Sequence, residues 1–180
     1  MILSQEHIYK SEDYWTLPDG ERAELIDGRP YNMAPPNRIH QKLVQQLSLT
    51  IGNYITSHGG VCEVYPAPFA VNLDSDDKDW VEPDISVICD KNKLTDRGCS
   101  GAPDFIIEIV SPSSRKMDYS IKNALYSESG VREYWIVDPD KERTTVYYYE
   151  EDAAPTIYAF EQKITVAIYG NLDITVSDLL

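Results

Sequence analysis

Asp104-Phe105-Ile106-Ile107-Glu108-Ile109-Val110-Ser111-Pro112-Ser113-Ser114 is the stretch from which the fold is read. From Phe105 to Val110 it is a short, β-branched apolar run closed by Ser-Pro-Ser, the signature of a buried core strand. Alternation along that strand sets Asp104, Ile106, Glu108 and Val110 on one face and Phe105, Ile107 and Ile109 on the other. Glu108 then projects from an otherwise mostly apolar face, where an ionised carboxylate is costly unless a cation meets it. Downstream, Ser111-Pro112-Ser113 offers a helix start, and Met117, Ile121, Ala124 and Leu125 recur at helical spacing before Gly130. One helix over 114–129 is predicted, returning across the sheet with Lys122 on a face with Arg115, Asp118 and Tyr126.

Upstream, Pro83-Asp84 leads into a second apolar run, Ile85 to Cys89. Two acids at neighbouring core strands repel, and a divalent cation between them removes the conflict. Magnesium takes one or two protein carboxylates and fills its remaining positions with water and phosphate oxygens, which Asp84 and Glu108 suit. Lys122 adds a cation that can meet an attacking water or a phosphate. Asp118 and Lys122 are also spaced i, i+4, so an ordinary surface ion pair worth a few tenths of a kcal/mol accounts for them equally well.

Around this centre the chain reads as mixed α and β. Asp27-Gly28 between Arg22–Ile26 and Arg29–Met33 signals a hairpin with Glu24 on one strand. From Asn37 to His58, Ile39, Leu43, Leu47, Ile51, Tyr54 and Ile55 recur every three or four residues, a helix stopped by Gly59-Gly60. Val61 to Val71 is β-rich but broken by Pro66 and Pro68, as at a sheet edge. Leu73–Trp80 and Asp90–Ala102 read as loops. After Gly130, four β-rich segments at 133–137, 144–149, 156–160 and 164–167 read as hairpins. A short segment at Ser11–Trp15, followed by the turn Leu17-Pro18-Asp19-Gly20, is expected to be a lid or an oligomer contact. No repeat or linker divides the chain, so residues 1–180 are read as one domain.

The 180 residues hold 16 Lys+Arg against 30 Asp+Glu, a formal charge of −14 that disfavours tight nonspecific binding to a phosphate backbone without bound cations or a local basic strip. From Arg115 to Arg143 there are six basic and six acidic residues, hence no net positive strip. A 42% hydrophobic and 26% charged chain excludes a disordered or collagen-like protein. Its first residues lack a signal peptide and no apolar run is long enough to span a membrane, so a cytoplasmic location is expected. Cys62, Cys89 and Cys99 are odd in number without C-x-x-C spacing, and are read as unbridged thiols.

Other candidates are weaker. His40 is read on the polar side of its helix and outside the site. Asp74, Asp76, Asp77 and Asp79 lack the glycine and closing glutamate of a calcium loop and read as solvated. Ser111, Ser113 and Ser114 have no nucleophile elbow and read as a helix cap. No glycine-rich phosphate loop is present. Tyr147, Tyr148 and Tyr149 are expected to pack a strand rather than stack bases.

Five segments together carry a family resemblance: E-L-I-D-G-R-P-Y-N-M-A-P-P at 24–36, W-V-E-P-D-I-S-V at 80–87, D-F-I-I-E-I-V-S-P-S-S at 104–114, D-x-x-x-K-x-x-x-Y at 118–126 and S-G-V-R-E-Y-W-I-V-D-P at 129–139. The chain resembles the Uma-two family of restriction endonuclease-like proteins, within the PD-(D/E)XK nuclease superfamily. The resemblance implies a restriction-endonuclease-like α/β (α+β) fold, with a mixed central sheet flanked by helices and hairpins in its N- and C-terminal parts. It implies catalytic roles for Asp84, Glu108, Lys122 and Glu24, with Asp84, Glu108 and Glu24 as ligands of Mg²⁺ or Mn²⁺. Val110 stands where the superfamily pattern has a lysine, and Lys122 matches the lysine moved to the helix. The implied activity is metal-dependent hydrolysis of DNA phosphodiester bonds, with a homodimer expected for cutting both strands. The alternative is a catalytically inactive nuclease fold serving as a binding module, which the acidic charge favours. Glycosidic hydrolysis by paired carboxylates is more distant, because nothing else in the chain looks like a sugar cleft.

Overall fold

The Asp27-Gly28 pair turns the chain because both residues adopt positive φ, 50° and 69°, the backbone a tight two-residue hairpin needs. It joins β1 (Ala23–Ile26) to β2 (Arg29–Asn32) in antiparallel register, Ile26 opposite Arg29. The computed structural model describes residues 7–18, 20–73, 77–151 and 153–180. Asp19 of the expected turn, and Asp74 and Asp76 of the acidic loop, lie outside the described residues.

In chain order the elements are α1 (Ser11–Trp15), β1 and β2, α2 (Arg38–Ser57), β3 (Glu63–Pro66), β4 (Val71–Asn72), β5 (Trp80–Val81) and β6 (Ile85–Ile88). They continue with β7 (Leu94–Thr95), β8 (Gly98–Ser100), β9 (Phe105–Ile109), a π-helical turn at Met117–Lys122, α3 (Asn123–Ser129) and β10 (Glu133–Asp138). β11 (Arg143–Tyr148), β12 (Thr156–Ala159), β13 (Lys163–Thr165) and β14 (Asp173–Thr175) complete the chain.

β9 runs through the middle of a mixed sheet ordered β12-β11-β10-β9-β6-β3, parallel to β10 and antiparallel to β6. Its alternation divides the core as the sequence predicts. Phe105, Ile107 and Ile109 pack with Leu43, Val44, Leu47, Ile51 and Ile55 of α2 and with Ile164 and Ile174 of the C-terminal hairpin. Ile106 and Val110 face Tyr126 of α3, Tyr134 and the second sheet, ordered β2-β1-β5-β4-β8-β7. The fold is thus mixed α and β, with two large sheets and few helices.

Four local expectations are corrected. The 90–102 segment, expected to be a loop, carries β7 and β8. The 114–129 helix is not uniformly α, since Met117–Lys122 form a π turn before α3. Cys62 and Cys89 are disulfide-bonded, because they extend the antiparallel β3–β6 pair in which Glu63 faces Ile88; Cys99 alone is free, and burial raises its thiol to about 11. The acidic loop is not wholly solvated: Asp79 is buried and accepts the Asp27 amide at 2.7 Å. The described residues include no helix long and apolar enough to cross a membrane.

Candidate active site

Lys122 is the hub toward which the separate acids converge. Its Nζ donates to Glu108 Oε1 and lies 2.8 Å from both that oxygen and Glu24 Oε1, with Asp118 Oδ1 at 3.9 Å. All four side chains are buried. The surface-pair reading of Asp118 and Lys122 is therefore set aside. In a pure α-helix a residue four positions on is rotated about 40° past the first, so 118, 122 and 126 would drift round the axis. The wider turn at Met117–Lys122 rotates back against that drift and keeps Asp118, Lys122 and Tyr126 in one file toward β9. Tyr126 OH then reaches Glu108 Oε1 at 2.8 Å. Arg115, expected on the same face, instead pairs with Asp138 and Asp140.

Each acid is fixed by the strand that carries it. Glu24 on β1 also accepts the Glu82 amide at 3.0 Å, tying the hairpin to the segment before β6. Asp84, just ahead of β6, accepts the Ile109 amide on Oδ2 at 2.7 Å, while its own amide donates to Glu108 Oε2 at 3.3 Å. The two acids are cross-tied over the β6–β9 ladder, in which Ile85 faces Ile107. Behind them Glu82 takes Tyr14 OH at 2.8 Å and the Arg22 guanidinium. Tyr14 also stacks on Trp80 with ring centroids 5.2 Å apart, so its ring and its hydroxyl are both engaged within the chain.

Burial pushes the Glu108 carboxyl well up against the pull of Lys122, and the neighbouring Asp84, Asp118 and Glu24 charges add to the rise. Asp118 is pushed up to about 6, again chiefly by burial. Burial alone would lower Lys122, but Glu108, Glu24 and Asp118 hold its ammonium charged well above the ordinary lysine range. Tyr126 stays a phenol, raised by burial and then by Glu108 and Glu24.

These groups line a cleft of about 570 Å³ between the β1–β2 hairpin, the start of α2 and the Ser111–Asp118 segment. Five carboxylates, Glu24, Glu82, Asp84, Glu108 and Asp118, face it, against the permanent cations Arg22 and Lys122. Among the described residues no cluster of three or more His, Cys, Asp or Glu stands ready to hold a metal ion. Lys122 already engages Glu24 Oε1 and Glu108 Oε1. Among the oxygens left over are Asp84 Oδ1 and Glu24 Oε2, to which no described group donates, and Glu108 Oε2, which has only the long 3.3 Å bond from the Asp84 amide. Two hard oxygen donors on adjoining strands fit a small divalent cation that keeps most of its water. Ser111 and Ser114 cap each other's amides at 3.0 and 3.1 Å, as a helix start requires.

His40 is the site residue that sequence reasoning leaves out. Its Nε2 lies 3.0 Å from Asp84 Oδ2, and it is not on the polar side of α2. The buried stripe of α2 is Leu43, Val44, Leu47, Ile51 and Ile55, and the half-buried His40, one turn ahead of Val44, continues it, while Ile39 is 39% exposed. That i, i+4, i+7 series beginning at the Asn37 cap is the sequence signal that would have found it.

The fold and this arrangement define a restriction-endonuclease-like α+β protein. Residues 11–177 match the Uma2 family, described as "Putative restriction endonuclease", and the chain belongs to that family. A protein of Synechocystis sp. described only as "Uncharacterized protein" is 25% identical over 144 residues, covering 78% of this chain and 74% of its own. The crystal structure of "a putative nuclease belonging to DUF820" from Anabaena variabilis matches with a TM-score of 0.77, over 94% of this chain and 96% of the other. Sequence identity there is 18%, so that likeness is one of fold.

Proposed function

We propose that residues 1–180 form a single nuclease domain that hydrolyses DNA phosphodiester bonds with the help of Mg²⁺ or Mn²⁺. The observation that carries this reading is Lys122, charged and buried between Glu24 and Glu108 beside Asp84, at a cleft open to substrate. Asp84 and Glu108 would hold the metal ion, with Glu24 completing the acidic set; such an ion lowers the pKa of water and stabilises charge on a phosphoryl group. The chain's own residues do the rest. An ammonium has three donors; Lys122 gives one to Glu108 and faces Glu24 at 2.8 Å, leaving a donor for an attacking water or a phosphate oxygen. Tyr126 occupies Glu108 Oε1 and so leaves Oε2 for the cleft. Arg22, with its side chain 41% exposed at the rim, offers charge to the phosphate backbone that the acidic body otherwise repels.

The protein acts in the cytoplasm in this reading, and as a homodimer when it cuts both strands. The test is nicking of supercoiled plasmid in Mg²⁺ or Mn²⁺, with calorimetric titration of Mn²⁺ beside it. Asp84→Asn and Glu108→Gln are expected to remain folded while losing both cleavage and metal binding. Wild-type cleavage by either variant overturns the assignment. Sedimentation at micromolar concentration tests the dimer, and a monomer at that concentration counts against it.

A further inference from the structure

We propose that His40 is a positioning residue that fixes the Asp84 carboxylate so that Oδ1, and not Oδ2, is presented to the cleft. The inference rests on the nuclease reading above. Asp84 Oδ2 is approached from two directions: it accepts the Ile109 amide at 2.7 Å and lies 3.0 Å from His40 Nε2 at ion-pair distance. The first contact comes from the backbone of β9 and the second from the first turn of α2, so the oxygen is gripped between the sheet and the helix packed on it. Oδ1 receives no hydrogen bond from the described residues. A carboxylate with a backbone donor and an imidazole nitrogen set against one oxygen, and nothing against the other, has one rotation that keeps both contacts, and it leaves a defined oxygen for a ligand. Ligating carboxylates and imidazoles that are themselves held by outer hydrogen bonds lose about 10- to 100-fold in metal affinity or activity when that support is removed.

Two further features argue against a packing role alone. His40 heads the apolar stripe of α2, a place where a leucine would fill the same space without a polar atom. Yet His40 Nδ1 is buried with no hydrogen-bond partner among the described residues. An unmet buried acceptor or donor destabilises a fold. The side chain therefore sets its Nε2 against Asp84 at a cost to packing. The first turn of α2 that carries His40 is fixed by its cap, since the His40 amide donates to Asn37 Oδ1 at 2.9 Å, and both residues line the cleft.

The test compares His40→Gln, which keeps a donor of similar reach, with His40→Leu, which keeps volume and removes the donor. Mn²⁺ is titrated calorimetrically into each protein and into wild type and Asp84→Asn, with thermal melts and plasmid nicking recorded alongside. The expected result is a fall of about 10- to 100-fold in Mn²⁺ affinity and in kcat for His40→Leu, with KM for plasmid little changed. His40→Gln should recover most of both, and the Leu variant should melt no lower than wild type. Equal Mn²⁺ affinity and kcat in wild type and His40→Leu, with Asp84→Asn inactive, overturns the positioning role and leaves the nuclease reading intact. A parallel loss in the Gln and Leu variants assigns His40 to packing or shape and also overturns it. Wild-type protein that neither binds Mn²⁺ nor nicks DNA removes both readings together.

Discussion

Lys122→Met keeps the length and most of the volume of the side chain and deletes its charge, so it isolates what the ammonium does for the buried acids. Glu24 and Glu108 each lose a contact of 2.8 Å, and Asp118 loses its counter-charge at 3.9 Å. Removing one partner from a buried ion pair costs about 3–5 kcal/mol, because the remaining charge is left uncompensated in low dielectric. With a urea slope of about 2 kcal/mol/M, a loss of about 4 kcal/mol lowers the unfolding midpoint by about 2 M. The size of the effect should depend on pH, and its sign follows from the acids. Burial raises Glu108 and Asp118, the latter to about 6, and Lys122 pulls both down. A carboxyl whose folded pKa lies above its unfolded value binds protons preferentially in the folded state, so stability rises as pH falls through the folded pKa. Without Lys122 both acids titrate higher and the variant gains more from acid than wild type does. Urea titrations followed by the fluorescence of the fully buried Trp135 should show the gap at pH 8 and its narrowing at pH 5. A midpoint shift below about 0.5 M at pH 8, or an equal gap at both pH values, refutes the reasoning.

Tyr126→Phe removes the phenol donor to Glu108 at 2.8 Å without opening a cavity, and should lower stability by about 1–2 kcal/mol in chemical denaturation; an unchanged midpoint contradicts the contact. Replacing Cys62 and Cys89 together with serine opens a link between residues 27 positions apart, for which loop-closure entropy gives a loss of about 3.5 kcal/mol. Thiol counting on the native wild-type protein should find no fast-reacting thiol and a single one, Cys99, after denaturation without reductant; three would disprove the bridge. Gly98→Ala would place a Cβ 2.0 Å from the Ala70 carbonyl oxygen at a φ of +137°, where the Cys99 amide also bonds that oxygen at 2.9 Å. A loss of about 2–3 kcal/mol is expected, and a melting temperature equal to wild type would show that the β4–β8 contact is looser than described.

What was legible in the chain is what short-range periodicity can encode. Strand alternation placed Glu108 and Ile106 on one face of β9 and Phe105 and Ile107 on the other, and the packing follows that division. The Asp27-Gly28 turn was legible because so few residue pairs tolerate two successive positive φ values. β4, β5 and β7 are two residues long, too short for any period, and the second sheet that holds Glu24 could not be traced from them. The Cys62–Cys89 bridge depends on the pairing of β3 with β6, a long-range fact that an odd cysteine count hides. His40 was lost because Ile39, one turn ahead of Leu43, competes for the head of the stripe on hydrophobicity alone. The i, i+4 spacing of Asp118 and Lys122 fitted a solvated ion pair and a buried site equally, because spacing fixes neighbours on a helix but not what covers them. Covering is supplied from elsewhere, by Glu24 on a hairpin nearly a hundred residues upstream and by Glu108 on β9. The same ammonium that would be a marginal surface contact becomes, once it is buried with three acids around it, the charge on which both the local stability and the proposed chemistry depend.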